Sequence, residues 1–216
     1  MEQYISPEMQ KAMNAVVEAQ GDMLKVNGDS VYPILNMLNA KYFIMPLQGG
    51  ATAPVLNPHA MGAAWMVNEV KYVGNANEEI DAIGKINLHN VAVADKKFES
   101  VLGKSVAQDS TSSVKITSYA PNQLTYDVNS KNGGVVVFSE VYYPGWTATV
   151  DGQPVEVGRV NYVLRAINVK GGSHKVVLEF RPKTIDTTES IAYGSLVALV
   201  IAIVVALFLT YRKKQA

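Results

Sequence analysis

The sequence predicts an α+β fold: a small α/β layer, then an antiparallel β-sandwich, then one C-terminal transmembrane helix. Helical and strand patterns alternate through the first half of the chain. Short strands with period-two alternation, separated by turn dipeptides, occupy the second half. An uncharged apolar run lies near the C-terminal end. We place the α/β domain at residues 1–105, the sandwich at 106–185, the transmembrane helix at 190–211 and a basic tail at 212–216.

Two helices are predicted near the N-terminus. The first covers residues 7–19, where Ser6 suits the N-cap and Pro7 suits the first turn. The second covers residues 30–39. Apolar residues recur at helical spacing in both helices, which predicts one apolar stripe on each. They are Met9, Met13, Val16 and Val17 in the first helix and Val31, Ile34, Leu35 and Leu38 in the second.

Three strands and a third helix complete the predicted α/β layer. Residues 42–45 and 64–73 have the composition of strands, and residues 91–94 form a third. Asn77 is the expected N-cap of a short helix that ends at Gly84. A strand, a helix and a strand in this order are typical of an α/β layer. The stretch after residue 45 is predicted to be a loop because it contains Gly49, Gly50, Pro54 and Pro58.

The polar run at residues 108–113 is the expected joint between the two domains. Beyond it, apolar and polar residues alternate, and Asn132-Gly133, Asp151-Gly152 and Gly171-Gly172 are turn signals. Short strands at this spacing predict the sandwich. The residues expected to face its core are Leu124, Tyr126, Val128, Trp146, Ala148, Val150, Val176, Leu178 and Phe180.

The apolar run at residues 191–211 carries no charge and is followed by Arg212, Lys213 and Lys214. About 20 residues at about 1.5 Å each cover the hydrocarbon core of a bilayer, which is about 30 Å thick. Basic residues cluster on the cytoplasmic side of membrane helices. We therefore expect a location in the bacterial cytoplasmic membrane, with residues 1–188 outside the cell and the C-terminus in the cytoplasm.

The overall composition excludes several classes of function. The 216 residues include 19 Lys and Arg, 19 Asp and Glu, and no cysteine. No basic run lies outside the C-terminal tail, so we expect no nucleic-acid partner. A chain without cysteine forms no disulfide, thiolate metal site or cysteine nucleophile. An exported domain of this kind depends on its core alone for stability.

Aromatic side chains surround one turn of the predicted sandwich. Tyr142, Tyr143 and Trp146 flank the dipeptide Pro144-Gly145. The apolar faces of such rings match those of sugars, so this group is a candidate glycan-binding or lipid-binding site. In the alternative interpretation, Trp146 fills the sandwich core and the dipeptide only reverses the chain. The sequence leaves both open.

Arg165 is an unusual residue for its predicted strand. It shares a strand face with Val163 and Ile167, so it is expected to be buried and to need a carboxylate partner. Asp151 and Glu140 are the candidate partners. The alternative is a contact with an anionic lipid phosphate, so Asp151 and Arg165 join the candidate glycan-binding or lipid-binding residues. Loss of folding in Arg165→Ala would favour the ion pair.

No metal site and no cofactor are expected. His59, His89 and His174 are far apart in the sequence and do not have the spacing of metal ligands. No nucleotide-binding glycine pattern is present, and the paired glycines are interpreted as turn formers.

The carboxylates also predict no catalytic group. Glycosyl transfer or hydrolysis requires two facing carboxylates with separated pKa values. Glu78, Glu79 and Asp81 are instead crowded on one short predicted helix, where we expect a solvated face. Glu140 and Asp151 flank the aromatic turn, and their convergence is a less favoured alternative.

Four segments carry a resemblance to a known family. They are LNMLNAKYFIM at residues 35–45, AWMVNEVKYV at 64–73, YYPGWTATVDGQPV at 142–155 and VLRAINVKGGSHKVVLEFRP at 163–182. In this order, and followed by a membrane helix, they resemble the C-terminal end of bacterial YfhO-type membrane proteins. The resemblance implies a multi-spanning protein related to lipid-linked sugar transferases of the GT-C type.

The resemblance implies no catalytic residue for this chain. The many N-terminal membrane helices of such transferases, and the acidic residue of their early external loop, have no counterpart in the sequence. The implied role is a non-catalytic, extracytoplasmic accessory module that positions a glycan or a lipid acceptor. The implied partners are the membrane, the membrane-helix portion of a parent protein and a lipid-linked glycan or envelope polymer.

A second hypothesis is a stand-alone, tail-anchored surface module that binds glycan or protein. Residues 1–20 show no basic segment followed by an apolar one, so no signal peptide is predicted. We therefore favour the C-terminal part of a larger polytopic protein. An upstream reading frame that encodes further apolar helices would distinguish the two hypotheses.

Overall fold

The computed structural model describes residues 2–215, apart from the side chains of Gln48, Lys183, Asp186, Phe208 and residues 213–215. It contains two compact units, one that ends at Glu179 and one that begins at Phe180. We call the first the globular unit. It combines helices with antiparallel sheets, and the second contains one long apolar helix. The predicted α+β fold class is confirmed.

Six α-helices are present in the described residues. They are α1 Glu2–Glu18, α2 Gly28–Val31, α3 Pro33–Met37, α4 Ala76–Ile83, α5 Glu99–Leu102 and α6 Lys183–Gln215. Short 3₁₀ turns occur at Met23–Lys25, Gln48–Gly50 and Lys96–Phe98.

Thirteen strands are present in the same residues. The first five are β1 Tyr42–Pro46, β2 Thr52–Leu56, β3 Ala64–Val67, β4 Glu69–Val73 and β5 Val91–Asp95. The next four are β6 Ser113–Ala120, β7 Gln123–Ser130, β8 Gly134–Val141 and β9 Trp146–Val150. The last four are β10 Gln153–Val155, β11 Gly158–Val160, β12 Leu164–Val169 and β13 Gly172–Phe180.

Helix α1 differs from the prediction in its start and in its buried face. It begins at Glu2, so Pro7 lies inside the helix and not in its first turn. The carboxylate of Glu8 accepts hydrogen bonds from the backbone N–H groups of Ile34 (2.9 Å) and Leu35 (3.1 Å), at the start of α3. This contact turns the Glu8 face inward. The helix buries Glu8, Ala12 and Val16, whereas Met9 and Val17, predicted to face inward, are 48% and 69% exposed.

The next two predicted elements are also corrected. The predicted helix over residues 30–39 is two short helices, α2 and α3, because Pro33 starts a new helix at its first position. The predicted loop after residue 45 contains β2, which pairs antiparallel with β1. Pro54 is tolerated in β2 because neither strand pairs with a further strand among the described residues.

The predicted strand at 64–73 divides at Asn68 into two strands of different sheets. Strand β3 pairs with β8, and β4 pairs in parallel with β5. Helix α4 connects β4 to β5, which confirms the predicted strand–helix–strand order. The N-cap of α4 is Asn75 and not Asn77, since the Asn75 side chain accepts hydrogen bonds from the N–H groups of Asn77 and Glu78, both at 3.0 Å.

The sandwich consists of a five-stranded sheet, β10-β9-β13-β7-β6, and a four-stranded sheet, β11-β12-β8-β3. Both contribute to one apolar cluster, and the predicted alternation is confirmed in β7, β9 and, at Val176 and Leu178, in β13. Phe180, also predicted to face the core, is half-buried and is not a member of this cluster. Trp146 and Val150 are half-buried against this cluster. Its buried residues are Leu124, Tyr126, Val128, Val136, Phe138, Ala148, Ile167, Val169, Val176 and Leu178.

The four-stranded sheet is buried on both faces. In β12, Ile167 and Val169 belong to the sandwich cluster, whereas Leu164 and Ala166 belong to a second cluster with residues of β3, β4, β5 and α4. Residues before and after position 105 thus share one apolar cluster. The division into domains at 105 stays a prediction.

Asp109, in the predicted joint, connects it to the turn between β7 and β8. Its carboxylate accepts hydrogen bonds from the hydroxyl (2.6 Å) and N–H (2.9 Å) of Thr111 and from the N–H of Lys131 (2.8 Å). These bonds, the Thr111 hydroxyl first, lower the pKa of Asp109 from 3.8 to about 2. The joint is therefore held by an ionised carboxylate.

This lowered pKa predicts a pH-dependent contribution to stability. A carboxylate with a lowered pKa in the folded state stabilises fully above pH 3.8, and the contribution is lost as the pH falls through about 2. We expect Asp109→Asn to reduce the slope of unfolding free energy against pH in this window. Urea unfolding of the detergent-solubilised chain, followed by the fluorescence of Trp65 and Trp146, measures it. Asp127→Asn, at an exposed position, is the control, and equal slopes in both variants would contradict the prediction.

Candidate functional site

A cleft lies where β8 turns into β9. The turn contains Pro144 and Gly145, and Gly145 has a φ of +104°, which is readily accessible only to glycine. The N–H of Tyr142 donates to the carbonyl of Val163 at 2.7 Å, which fixes the start of the turn against the neighbouring strand. The cleft has a volume of about 660 Å³. Tyr142, Tyr143 and Trp146 line it, together with Phe98, Val101 and Pro154.

The aromatic rings of the cleft differ in exposure. Tyr142 is half-buried, and its ring meets that of Phe98 edge-to-face with centroids 5.9 Å apart. Tyr143 is 61% exposed. The Lys97 ammonium lies 5.2 Å from the centroid of Phe98 and also lines the cleft. Sequence reasoning missed Phe98 and Lys97, because they follow β5 in a short 3₁₀ turn about 45 residues before the aromatic turn and carry no periodic signal.

Trp146 combines the two roles that the sequence left open. Its side chain is half-buried against the sandwich core and also lines the cleft. The guanidinium of Arg165 lies 3.8 Å from the centroid of the Trp146 ring, which is a cation–π contact. Arg165 is 2% exposed and forms an ion pair with Glu140. The ion pair expected for Arg165 is therefore present, with Glu140 as its partner and not Asp151.

Burial governs the electrostatics around Arg165. Desolvation lowers the pKa of Arg165 to about 10, and it raises the pKa of Tyr126 to about 12. Two nitrogens of the guanidinium, Nε and Nη1, and the Tyr126 hydroxyl are buried without a hydrogen-bond partner in the described part of the chain. The charge of Arg165 is thus balanced by Glu140 and by the Trp146 ring.

Asp151 lies away from the aromatic cleft. It occupies the turn between β9 and β10, where its carboxylate contacts Nδ1 of His174 (2.7 Å) and accepts a hydrogen bond from the N–H of Lys175 (2.8 Å). The hydrogen bond with His174 is the main cause of its lowered pKa. Asp151 borders a separate cavity of about 350 Å³, which Asn168 and Lys170 also line. The structure therefore groups three of the five predicted binding residues, Tyr142, Tyr143 and Trp146, in one cleft.

The other carboxylates have structural partners. Glu79, predicted to lie on a solvated face, is fully buried. It accepts hydrogen bonds from Nη2 of Arg159 and from the N–H of Tyr162, both at 2.7 Å. Burial raises its pKa, and these two contacts act in the opposite direction. The expectation for Glu79 is wrong because its position in α4 faces β11 and the turn after it.

Glu140 and Asp151 contact different basic side chains, Arg165 and His174. Glu78 accepts hydrogen bonds from the N–H of Gly74 and the side chain of Asn75, and Asp81 accepts one from the hydroxyl of Tyr4. Within the described residues, no group of three or more His, Cys, Asp or Glu side chains is arranged to hold a metal ion.

The C-terminal unit contains the predicted membrane helix. Within α6, residues 187–212 are long and apolar enough to cross a membrane, and α6 is the one such helix among residues 2–215. The predicted span at 190–211 lies inside this stretch. Residue 216 and the side chains of 213–215 in the predicted basic tail lie outside the described residues.

Comparison with known proteins identifies a family. No curated protein and no solved structure matches the chain. A family model described as "Bacterial membrane protein YfhO" matches residues 80–192, which is more than half of the 216 residues. The match includes the aromatic turn and the start of the apolar stretch of α6. Because the family consists of membrane proteins, the match supports association of this protein with a membrane. The chain belongs to the YfhO family of bacterial membrane proteins.

Proposed function

We propose that this chain is the extracytoplasmic accessory part of a YfhO-type membrane protein and that its aromatic cleft holds a sugar of a lipid-linked glycan or envelope polymer. The observation that carries the proposal is the exposed cleft formed by Tyr142, Tyr143 and Trp146. Its size is in the range of small-molecule sites, which hold about 300–1,000 Å³.

The chemistry of the cleft suits a carbohydrate. Aromatic faces exclude water from the C–H faces of a sugar ring, while nearby polar groups can hydrogen-bond to its hydroxyls. Lys97, Ser100 and Glu156 line the same cleft and supply such groups. A lysine also favours an anionic glycan or the phosphate of a lipid carrier.

Arg165 acts in this proposal as a positioning residue. It is too deeply buried to contact a ligand in the cleft, and it stacks on Trp146 instead. Asp151 borders the separate cavity, and its contacts with His174 and the N–H of Lys175 fix the turn that follows β9. The proposal assigns binding and not turnover to the chain, since Glu140 and Asp151 are each engaged by a different basic partner.

We expect Tyr143→Ala to weaken sugar binding by about fivefold to tenfold, since the loss of one aromatic contact costs about 1–1.5 kcal/mol. The full chain in nanodiscs would first be screened on a glycan array, and the best soluble ligand would be titrated by calorimetry. Tyr119→Ala is the matched control, because Tyr119 is also an exposed tyrosine (74%) but does not line the cleft. Absence of any binding, or an equal loss in both variants, would refute the proposal.

The proposed location is tested separately by protease treatment. In bacterial spheroplasts, we expect protease added outside to digest residues 1–185, because the basic tail favours the cytoplasm. An epitope after residue 216 should stay protected until the membrane is permeabilised. Survival of residues 1–185 under external protease would place the globular unit in the cytoplasm and exclude an extracytoplasmic role.

A further inference from the structure

The hairpin formed by β1 and β2 is apolar on both of its faces. One face packs inward, where Phe43 is buried and Met45 and Val55 lie against the same cluster. On the opposite face, Tyr42 pairs with Leu56 and Ile44 pairs with Pro54. Tyr42, Ile44 and Leu56 are 58%, 60% and 57% exposed, and Leu47 at the turn is 52% exposed. A strand with one solvated face normally carries polar residues there, so this outer face is unusual.

The hairpin also lacks charge. Between Lys41 and His59 there are 17 residues, and none is acidic, basic or histidine. Lys41 is exposed and directly precedes Tyr42 in the sequence. Lysine and tyrosine side chains are typical of the boundary between lipid headgroups and hydrocarbon, where an apolar body and a polar tip are both satisfied.

We propose that the outer face of this hairpin docks on a lipid bilayer and that Tyr42, Ile44 and Leu56 enter its interfacial region. Three observations favour lipid as the occupant. The face is apolar and uncharged, its base carries a lysine and a tyrosine, and the chain belongs to a membrane-protein family and contains a helix that can cross a membrane. The inference is independent of the sugar-binding proposal and of the side of the membrane.

The pairing of the hairpin limits the depth of this docking. A two-stranded sheet has two free edges, and backbone N–H and C=O groups at an edge are costly to place in hydrocarbon. The side chains of the outer face therefore enter the bilayer while the backbone stays at the level of the headgroups. Such shallow burial is typical of interfacial membrane contacts.

The absence of cysteine allows a direct test with the full chain. Ile44→Cys and Leu56→Cys would each be labelled with an environment-sensitive fluorophore and reconstituted into phosphatidylcholine–phosphatidylglycerol vesicles. Ser118→Cys, at an exposed position of β6, is the matched control. Nitroxide groups placed near the headgroup of the lipid serve as membrane quenchers, and iodide serves as the aqueous quencher. Unchanged tryptophan fluorescence verifies folding.

We expect the labels at positions 44 and 56 to be quenched by the nitroxide lipid at least about threefold more than the label at 118, and to be shielded from iodide. Adding Leu56→Glu, on the same outer face, to Ile44→Cys should restore iodide quenching. Iodide access equal to that at position 118 would overturn the proposal. Shielding without lipid quenching would also overturn it, and would indicate a second copy if it depended on the protein-to-lipid ratio, or a protein segment if it did not.

Discussion

Arg165→Met is expected to destabilise the globular unit by about 2–4 kcal/mol. Breaking a buried ion pair costs about 3–5 kcal/mol, and we expect a value around or below the lower end of that range because the Glu140 side chain is 30% exposed. The substitution leaves the Glu140 carboxylate without its cation and removes the stacking partner of Trp146. Urea unfolding of the full chain in detergent, followed by tryptophan fluorescence and circular dichroism, measures the change.

The double variant Arg165→Met/Glu140→Gln separates the cost of an unpaired charge from the value of the pair. Because an unpaired buried charge is the costly state, we expect the second substitution to recover about half of the loss or more. Lys115→Met, at an exposed position, controls for the loss of a surface charge. If Arg165→Met is as stable as this control, the ion pair does not contribute to the fold.

The second large effect is expected for Glu79→Ala, at about 3–5 kcal/mol, because it leaves a mostly buried arginine and a backbone N–H without their partner. Arg159 is 18% exposed at its side chain. Glu79 also holds the turn between β11 and β12, where Asn161 and Tyr162 have φ values of +50° and +70°. Non-glycine residues with positive φ store strain, so the turn depends on its hydrogen bonds.

Glu78→Ala is the control on the same helix. Glu78 is exposed and contacts the loop before α4, so we expect a loss below about 1 kcal/mol. Glu79→Gln should lie between the two, since an amide keeps an oxygen for the N–H of Tyr162 but loses the negative charge. Similar unfolding free energies for Glu79→Ala and Glu78→Ala would show that the buried contacts of Glu79 have little net value.

The two buried ion pairs connect the fold to the proposed site. Glu79 joins α4 to β11 and to the turn after it, and Arg165 joins β12 to Glu140 and to Trp146, which lines the cleft. A cleft for a weakly held ligand benefits from rings that are fixed before binding, because less conformational entropy is then lost on binding. We therefore expect Arg165→Met to weaken sugar binding, although Arg165 itself does not contact the sugar.

The candidate site could be predicted only in part. Tyr142, Tyr143 and Trp146 were recognisable because they are close in sequence around a Pro-Gly turn. Phe98 completes the cleft from a distant segment, so only the tertiary structure shows it. Glu79 was predicted to be solvated because a short acidic helix is usually exposed, but long-range packing against the turn at Tyr162 buries it.

Local patterns were enough to predict the alternating strands of the sandwich, the apolar C-terminal helix and the short helix between β4 and β5. The pairing of β3 with β8, the division at Asn68, the second strand of the hairpin and the partner of Arg165 became visible only in the folded chain. Periodicity records which side of an element is buried. It does not record which distant segment buries it, and the pairing of β3 with β8 joins residues about 70 positions apart along the chain.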